Sequence, residues 1–181
     1  DYGRWCDALV EFQREEGAGT VDAARAETQA DELYEAGAKK MMGCDEQVFI
    51  DILTKASEGQ CAAIAAAYEA HEDTKRSLAE DVKKKFSGDL EFAVLARVLP
   101  RLQFFAYRIY KACKGWGTDE ECIGRVLACL TKEEVKELEE ATRREAAMAE
   151  AALQVARKRA TQAVRVARPR SAKVTNRPPS A

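Results

Sequence analysis

Lys40-Met41-Met42-Gly43-Cys44-Asp45-Glu46 returns seventy-four positions later as Lys114-Gly115-Trp116-Gly117-Thr118-Asp119-Glu120. The register continues without a gap: Ile52-Leu53 falls on Val126-Leu127, Cys61 on Val135 and Ile64 on Leu138. A fixed period means two copies of one structural unit, so the fold is read from the unit. Each copy reads as a tight loop that starts a helix. Thr118 and Glu121 have capping-box spacing, and Asp119 and Glu120 put negative charge at the positive end of the helix. Val48, Phe49, Ile52 and Leu53, and in the second copy Ile123, Val126, Leu127 and Leu130, recur at helical spacing. Ser57 with Gln60, and Thr131 with Glu134, open a further helix in each copy. The unit is helix, glycine-containing loop, helix, short turn, helix.

Lys-Gly-x-Gly-Thr-Asp-Glu between two helices resembles the calcium loop of an annexin repeat. Val21-Asp22 through Asp31-Glu32-Leu33-Tyr34-Glu35-Ala36-Gly37 is similar to the connector that enters the third repeat of that family. Ser87-Gly88-Asp89-Leu90 with Ala93-Val94-Leu95 resembles the start of a repeat's last helix, and Tyr2-Gly3-Arg4-Trp5 to Leu9-Val10 aligns with the same start. The resemblance covers residues 1–142 and implies an all-α, right-handed bundle of five-helix repeats. On this reading 1–16 is the terminal helix of a preceding repeat and 17–26 an inter-repeat connector. Residues 27–100 are a complete repeat, 101–142 a partial one, and 143–181 a basic Ala/Arg-rich helix with a disordered tail. The start inside a repeat suggests further sequence upstream.

What the resemblance implies is calcium-dependent phospholipid binding, with peripheral membrane association through the interhelical loops. Ca²⁺ takes six to eight oxygens, and backbone carbonyls serve when glycines let a loop turn them inward. By resemblance, the carbonyls of Cys113, Gly115 and Gly117 are ligands in the second unit, and those of Lys39, Met41 and Gly43 in the first. Trp116 and Met42 stand at the loop tips, where a large side chain can enter the headgroup region; the alternative for Trp116 is packing on the neighbouring loop. The family's loop is completed by an acid three residues before the Gly of Ser-Gly. Here that position is Lys85, flanked by Lys83 and Lys84, and its counterpart near Arg157 to Arg159 also lacks an acid. Both calcium sites are therefore degenerate. The other function class is a calcium-independent structural scaffold of the same fold, linking membrane or cytoskeleton. Expected partners are acidic phospholipid membranes, with cytoskeletal protein or other annexin-like repeats beside them and no nucleic acid.

Composition agrees with a soluble, intracellular helical protein; a cytoplasmic place, peripheral at membranes, is what the resemblance implies. The net charge is −2, and no run of apolar residues is long enough to span a bilayer. No signal peptide is visible. The six cysteines stand singly in helical patterns, as Cys61, Cys122 and Cys129 do, which predicts reduced and mostly buried thiols. His71, the one histidine, reads as a solvated helix-end residue. No Gly-x-Ser-x-Gly, P-loop, Cys/His cluster or triad argues for an enzyme. The acidic residues Glu133 to Glu140, interleaved with Lys132 and Lys136, read as a solvated face.

Along the chain, Gly17 to Thr20 is a bend, a fifth helix of the complete unit runs from Asp89 to Leu99 before Pro100, and Phe105 and Ile109 point inward in the second unit. That unit does not finish. Residues 141–181 hold ten Lys/Arg against Glu145 and Glu150, a net of +8, which leaves −10 on the rest of a chain whose total is −2. A solvated helix and tail from divergent or mis-spliced coding sequence is one reading. A basic surface for acidic lipid or nucleic acid is the other, and it predicts salt-sensitive, calcium-independent vesicle binding that is lost on truncation after Glu140.

Overall fold

The computed structural model describes residues 1–11, 21–71, 76–114 and 117–167, without the side chains of 152, 153, 155–157 and 159–167. Among them it has nine helices and no strand: α1 (Tyr2–Glu11), α2 (Ala23–Ala36), α3 (Glu46–Leu53), α4 (Glu58–Ala70), α5 (Leu78–Lys85), α6 (Gly88–Val98), α7 (Arg101–Cys113), α8 (Glu120–Ala128) and α9 (Lys132–Ala167). The fold is an all-α repeat bundle. Helices α2 to α6, over the stretch expected to be the complete unit, pack on one another; α1 packs on α6 and α3, and α7 joins α6 to α8 and α9. The expected bend at 17–20 and the tail beyond 167 lie outside the described residues.

Local chemistry sets the helix starts, with two corrections to the expected caps. Asp22 accepts from Arg25 N at 3.0 Å, so α2 starts at Ala23, ahead of the expected Glu27. Ser57 accepts from Gln60 N at 3.1 Å, but Gln60 does not close the box. Its side chain accepts from Asp22 N at 3.0 Å and donates to Asp22 O at 3.2 Å and Gln29 Oε1 at 3.0 Å, tying the connector to α2 and α4. At α8 the cap is Asp119, accepting from Cys122 N at 2.9 Å, and not Thr118. Asp119 stands one residue nearer the helix, and its ionised carboxylate is the stronger acceptor for the free amide. Thr131 and Glu134 do form the reciprocal box, at 3.3 and 2.9 Å. The Thr131 backbone amide and Arg101 hold the Glu134 carboxyl below its usual range. Ser77 and Glu80 form another box, at α5.

One large core lies inside α1 to α6, with Trp5, Leu33, Ile50, Leu53, Ile64, Tyr68, Val82, Val94 and Leu95 buried in it. Each such side chain stabilises the fold by about 1.5–3 kcal/mol. In the second unit Ala106, Val126 and Leu138 form a small separate cluster, with Phe105, Ile109, Leu130 and Ala141 half-covered around them. The difference follows from connectivity. In the first unit α5 and α6 close over the repeat positions; in the second, α9 runs on for 36 residues, roughly 54 Å, instead of turning back. The boundary placed at 142/143 falls inside this helix, which has no Gly or Pro to break it. Leu53 is 0% exposed and its repeat equivalent Leu127 is 41% exposed. Leu53→Ala is thus expected to cost about 3 kcal/mol or more, and Leu127→Ala less than about 1 kcal/mol, in denaturant unfolding. Equal losses would refute the asymmetry.

Two further expectations change. His71 caps α4 but is not simply solvated: its Nε2 lies 3.3 Å from Asp31 Oδ1, and its ring is 5.0 Å from that of Tyr34. Cys61 and Cys122 are buried and all six cysteines are free thiols, yet Cys113 and Cys129 are exposed because each ends a helix on the open half-unit.

The two units are pinned by charge in a buried setting. Glu91 accepts from the Tyr107 hydroxyl and lies 3.3 Å from Lys111 Nζ. Burial and this carboxylate push the Tyr107 phenol up, so it stays a donor. Lys83 spans to Glu145 on α9 at 2.5 Å and sits 4.2 Å from the Tyr107 ring centroid.

Candidate functional site

The first loop runs from Gly37 to Asp45. Gly37 ends α2, donating to Leu33 O at 3.0 Å and Tyr34 O at 3.3 Å. A Cβ there would lie 3.1 Å from Phe49 Cζ and 3.2 Å from Leu33 O, so any side chain would push the Phe49 ring back by a few tenths of an ångström. Phe49 needs that close approach because its ring also meets Phe86 edge-on at 4.9 Å. Phe86 is buried directly after Lys85, the last residue of α5. One aromatic contact therefore holds the end of α5 against α3, whose Phe49 ring lies beside Gly37 at the start of the loop.

Gly43 turns the loop with φ +75°, and the Asp45 amide closes it on Ala36 O at 2.9 Å. Inside the turn, Lys85 Nζ donates to Lys40 O at 2.6 Å and to Gly43 O at 3.3 Å. The carbonyls that face a cation are thus those of Lys40 and Gly43. The set named from the pattern, Lys39, Met41 and Gly43, shares one member with this pair. The cation they face belongs to the protein. Met41 and Met42, on the outer side of the turn, are 99% and 90% exposed. Cys44 is half-buried, and burial, with the Glu46 charge, pushes its thiol up to about 11, so it stays protonated at neutral pH.

The second loop is closed in the same way, Asp119 N donating to Ala112 O at 2.9 Å, with Gly117 at φ +95°. Of the candidate ligands, Cys113 and Gly117 flank the loop, while Gly115, and with it the candidate membrane contact Trp116, lies outside the described residues. Beside it is a cleft of about 430 Å³ lined by Phe92, Arg108, Lys111, Lys114 and Asp119 among others. Arg108 lies over the Phe92 ring at 4.3 Å. Among the described residues lining it, the one carboxylate, Asp119, is engaged as the α8 cap. The segment Arg157 to Arg159, the counterpart of Lys85 in the second unit, lies far along α9. Nothing in the sequence pattern marked the basic cleft, which is assembled from α6, α7 and the loop.

The sequence matches the Annexin family model over residues 29–96. Human annexin A1 is 40% identical over 103 residues, 57% of this chain, and rat annexin A6 is 35% identical over 141 residues, 77% of it. A solved structure of a mutant of annexin A8 superposes with a TM-score of 0.56 at 31% identity, covering 71% of this chain and 38% of that one. The chain belongs to the annexin family. It spans 29% of the length of annexin A1 and 20% of annexin A6.

The calcium that annexin membership implies can be tested on these residues. The first loop does not fit it, because an ammonium holds the carbonyls a metal would need, and no carboxylate stands where Lys85 stands. The second keeps the glycine turn of an annexin loop, but among the described residues lining the cleft beside it no carboxylate other than Asp119 is present. Among the described residues, no cluster of three or more His, Cys, Asp or Glu is placed to hold a metal elsewhere.

Proposed function

We propose that this annexin chain associates peripherally with acidic phospholipid surfaces through its interhelical loops, from the cytoplasmic side, with calcium adding little. The observation that carries this reading is the first loop: its carbonyls converge on a cation while Met41 and Met42 project beside it. Amphipathic contact of this kind suits the headgroup region. Among the described residues, no helix is long and apolar enough to cross a membrane. The second loop supplies the residual calcium affinity, through carbonyls without an acid.

Co-sedimentation with phosphatidylserine vesicles tests the reading. Binding is expected in chelator as well as in calcium, and calorimetry is expected to give a calcium Kd of about 1 mM or weaker. Micromolar affinity, or vesicle binding seen only with calcium, would refute it. One observation favours the alternative of a scaffold that packs with other helical repeats. The half-unit has an open groove of about 440 Å³ lined by Ile109, Ile123, Leu127 and Val135. Concentration-dependent self-association in sedimentation velocity, without vesicle binding, would select that reading.

A further inference from the structure

We infer that the Lys85 ammonium is a built-in cation of the first loop, and that it holds the Met41–Met42 turn in a lipid-contacting form without metal. This inference rests on the membrane reading above and goes beyond it in naming the loop, the cation and the mode.

A glycine-turned loop with inward carbonyls is a concentration of negative dipole ends. Left alone, those oxygens repel one another and require a cation or water. Lys85 supplies a permanent one. Its ammonium has three donors and no acceptor; two go to Lys40 O and Gly43 O. One donor remains for an outside oxygen, and the phosphate of a phospholipid headgroup has the matching charge and acceptor chemistry. The ammonium thus has the same two-sided chemistry as a bridging metal ion, carbonyls on one side and phosphate on the other.

Placement supports the role. Phe86, buried on Phe49, fixes the end of α5, so the lysine stem is anchored and only its tip is left to reach the loop. The Lys40 ammonium on the same turn lies 3.8 Å from the Asp45 carboxylate, which balances its charge. Next to these charges, two nearly fully exposed methionines form an unbranched, adaptable apolar tip. An ammonium between inward carbonyls and an apolar tip is an arrangement for an anionic lipid surface.

The chain has three methionines, Met41, Met42 and Met148, so ¹³C-methyl labelling reads the loop directly. The full chain is mixed, in chelator, with phosphatidylserine nanodiscs carrying a headgroup spin label. The Met41 and Met42 signals are expected to lose about half their intensity or more, as side chains within the headgroup layer should. In Lys85→Gln, whose fold is checked by circular dichroism, that loss should disappear. In Lys85→Glu it should return only when calcium is added. Co-sedimentation with unattenuated loop methionines would overturn this inference and leave the membrane reading standing. Attenuation that persists unchanged in Lys85→Gln would also overturn it. No co-sedimentation at all would remove the membrane reading itself.

Discussion

Replacing Lys85 by glutamate is expected to tighten calcium binding by the first loop at least ~30-fold. A doubly charged ion about 3.5 Å from an ammonium meets a repulsion of about 2 kcal/mol even at the dielectric of bulk water, and more inside the turn. Removing that repulsion alone corresponds to roughly the stated factor. The carboxylate then adds what the loop lacks, a bidentate oxygen pair facing the carbonyls of Lys40 and Gly43. Glutamate is also one bond shorter than lysine, so it leaves room for an ion where the ammonium now stands. Lys85→Gln separates the two contributions, because it removes the charge without supplying the carboxylate. Calorimetry on the unmodified chain and both variants should rank them Glu, then Gln, then Lys. If the glutamate variant binds no better than the unmodified chain, the carbonyls of this loop are not a cation seat.

Truncation after Glu150 is expected to weaken chelator-resistant binding to phosphatidylserine vesicles by about 100-fold at low salt. Arg157, Lys158, Arg159, Arg165, Arg168 and Arg170 lie beyond that cut. Near an anionic bilayer each basic residue contributes about 1 kcal/mol, so engaging half of them accounts for a change of that size. The net of −10 on the rest of the chain works against the approach. The Debye length shrinks from about 30 Å at 0.01 M salt to about 10 Å at 0.1 M, so the tail's contribution should fall steeply over that range. The cut is placed after Glu150 because Glu145 pairs with Lys83 and α9 packs on α7; cutting after Glu140 would loosen the half-unit as well. Binding that survives truncation undiminished, or that ignores salt, would place the whole lipid contact in the repeat loops.

The period, the glycine turns and most helix starts were legible in the sequence because each is written in local spacing. Gly43 and Gly117 stand 74 residues apart, and both have positive φ. Pro100 ends α6 one residue earlier at Leu99, whose ψ of 145° is extended. Where two local choices competed, spacing was insufficient: Asp119 outcompeted Thr118 as a cap, and Gln60 left its own helix start to grip Asp22. The run from Lys132 to Ala167 without Gly or Pro already allowed one continuous helix; the alanine-rich composition change at 143 drew attention to a boundary that backbone hydrogen bonding does not respect.

The charge at position 85 was likewise plain from the sequence, which showed an acid replaced by a base and hence a loop hostile to calcium. That the same ammonium takes the loop's carbonyls was decided only in three dimensions. Its contacts join residues 42 and 45 positions apart, and they depend on Phe49 and Phe86 meeting under Gly37. Local sequence determines which backbone turns can form, because φ, ψ and capping are settled within a few residues. Which side chain arrives to satisfy the turn depends on how distant helices pack, and packing is where Lys85 changes from a missing ligand into a resident cation.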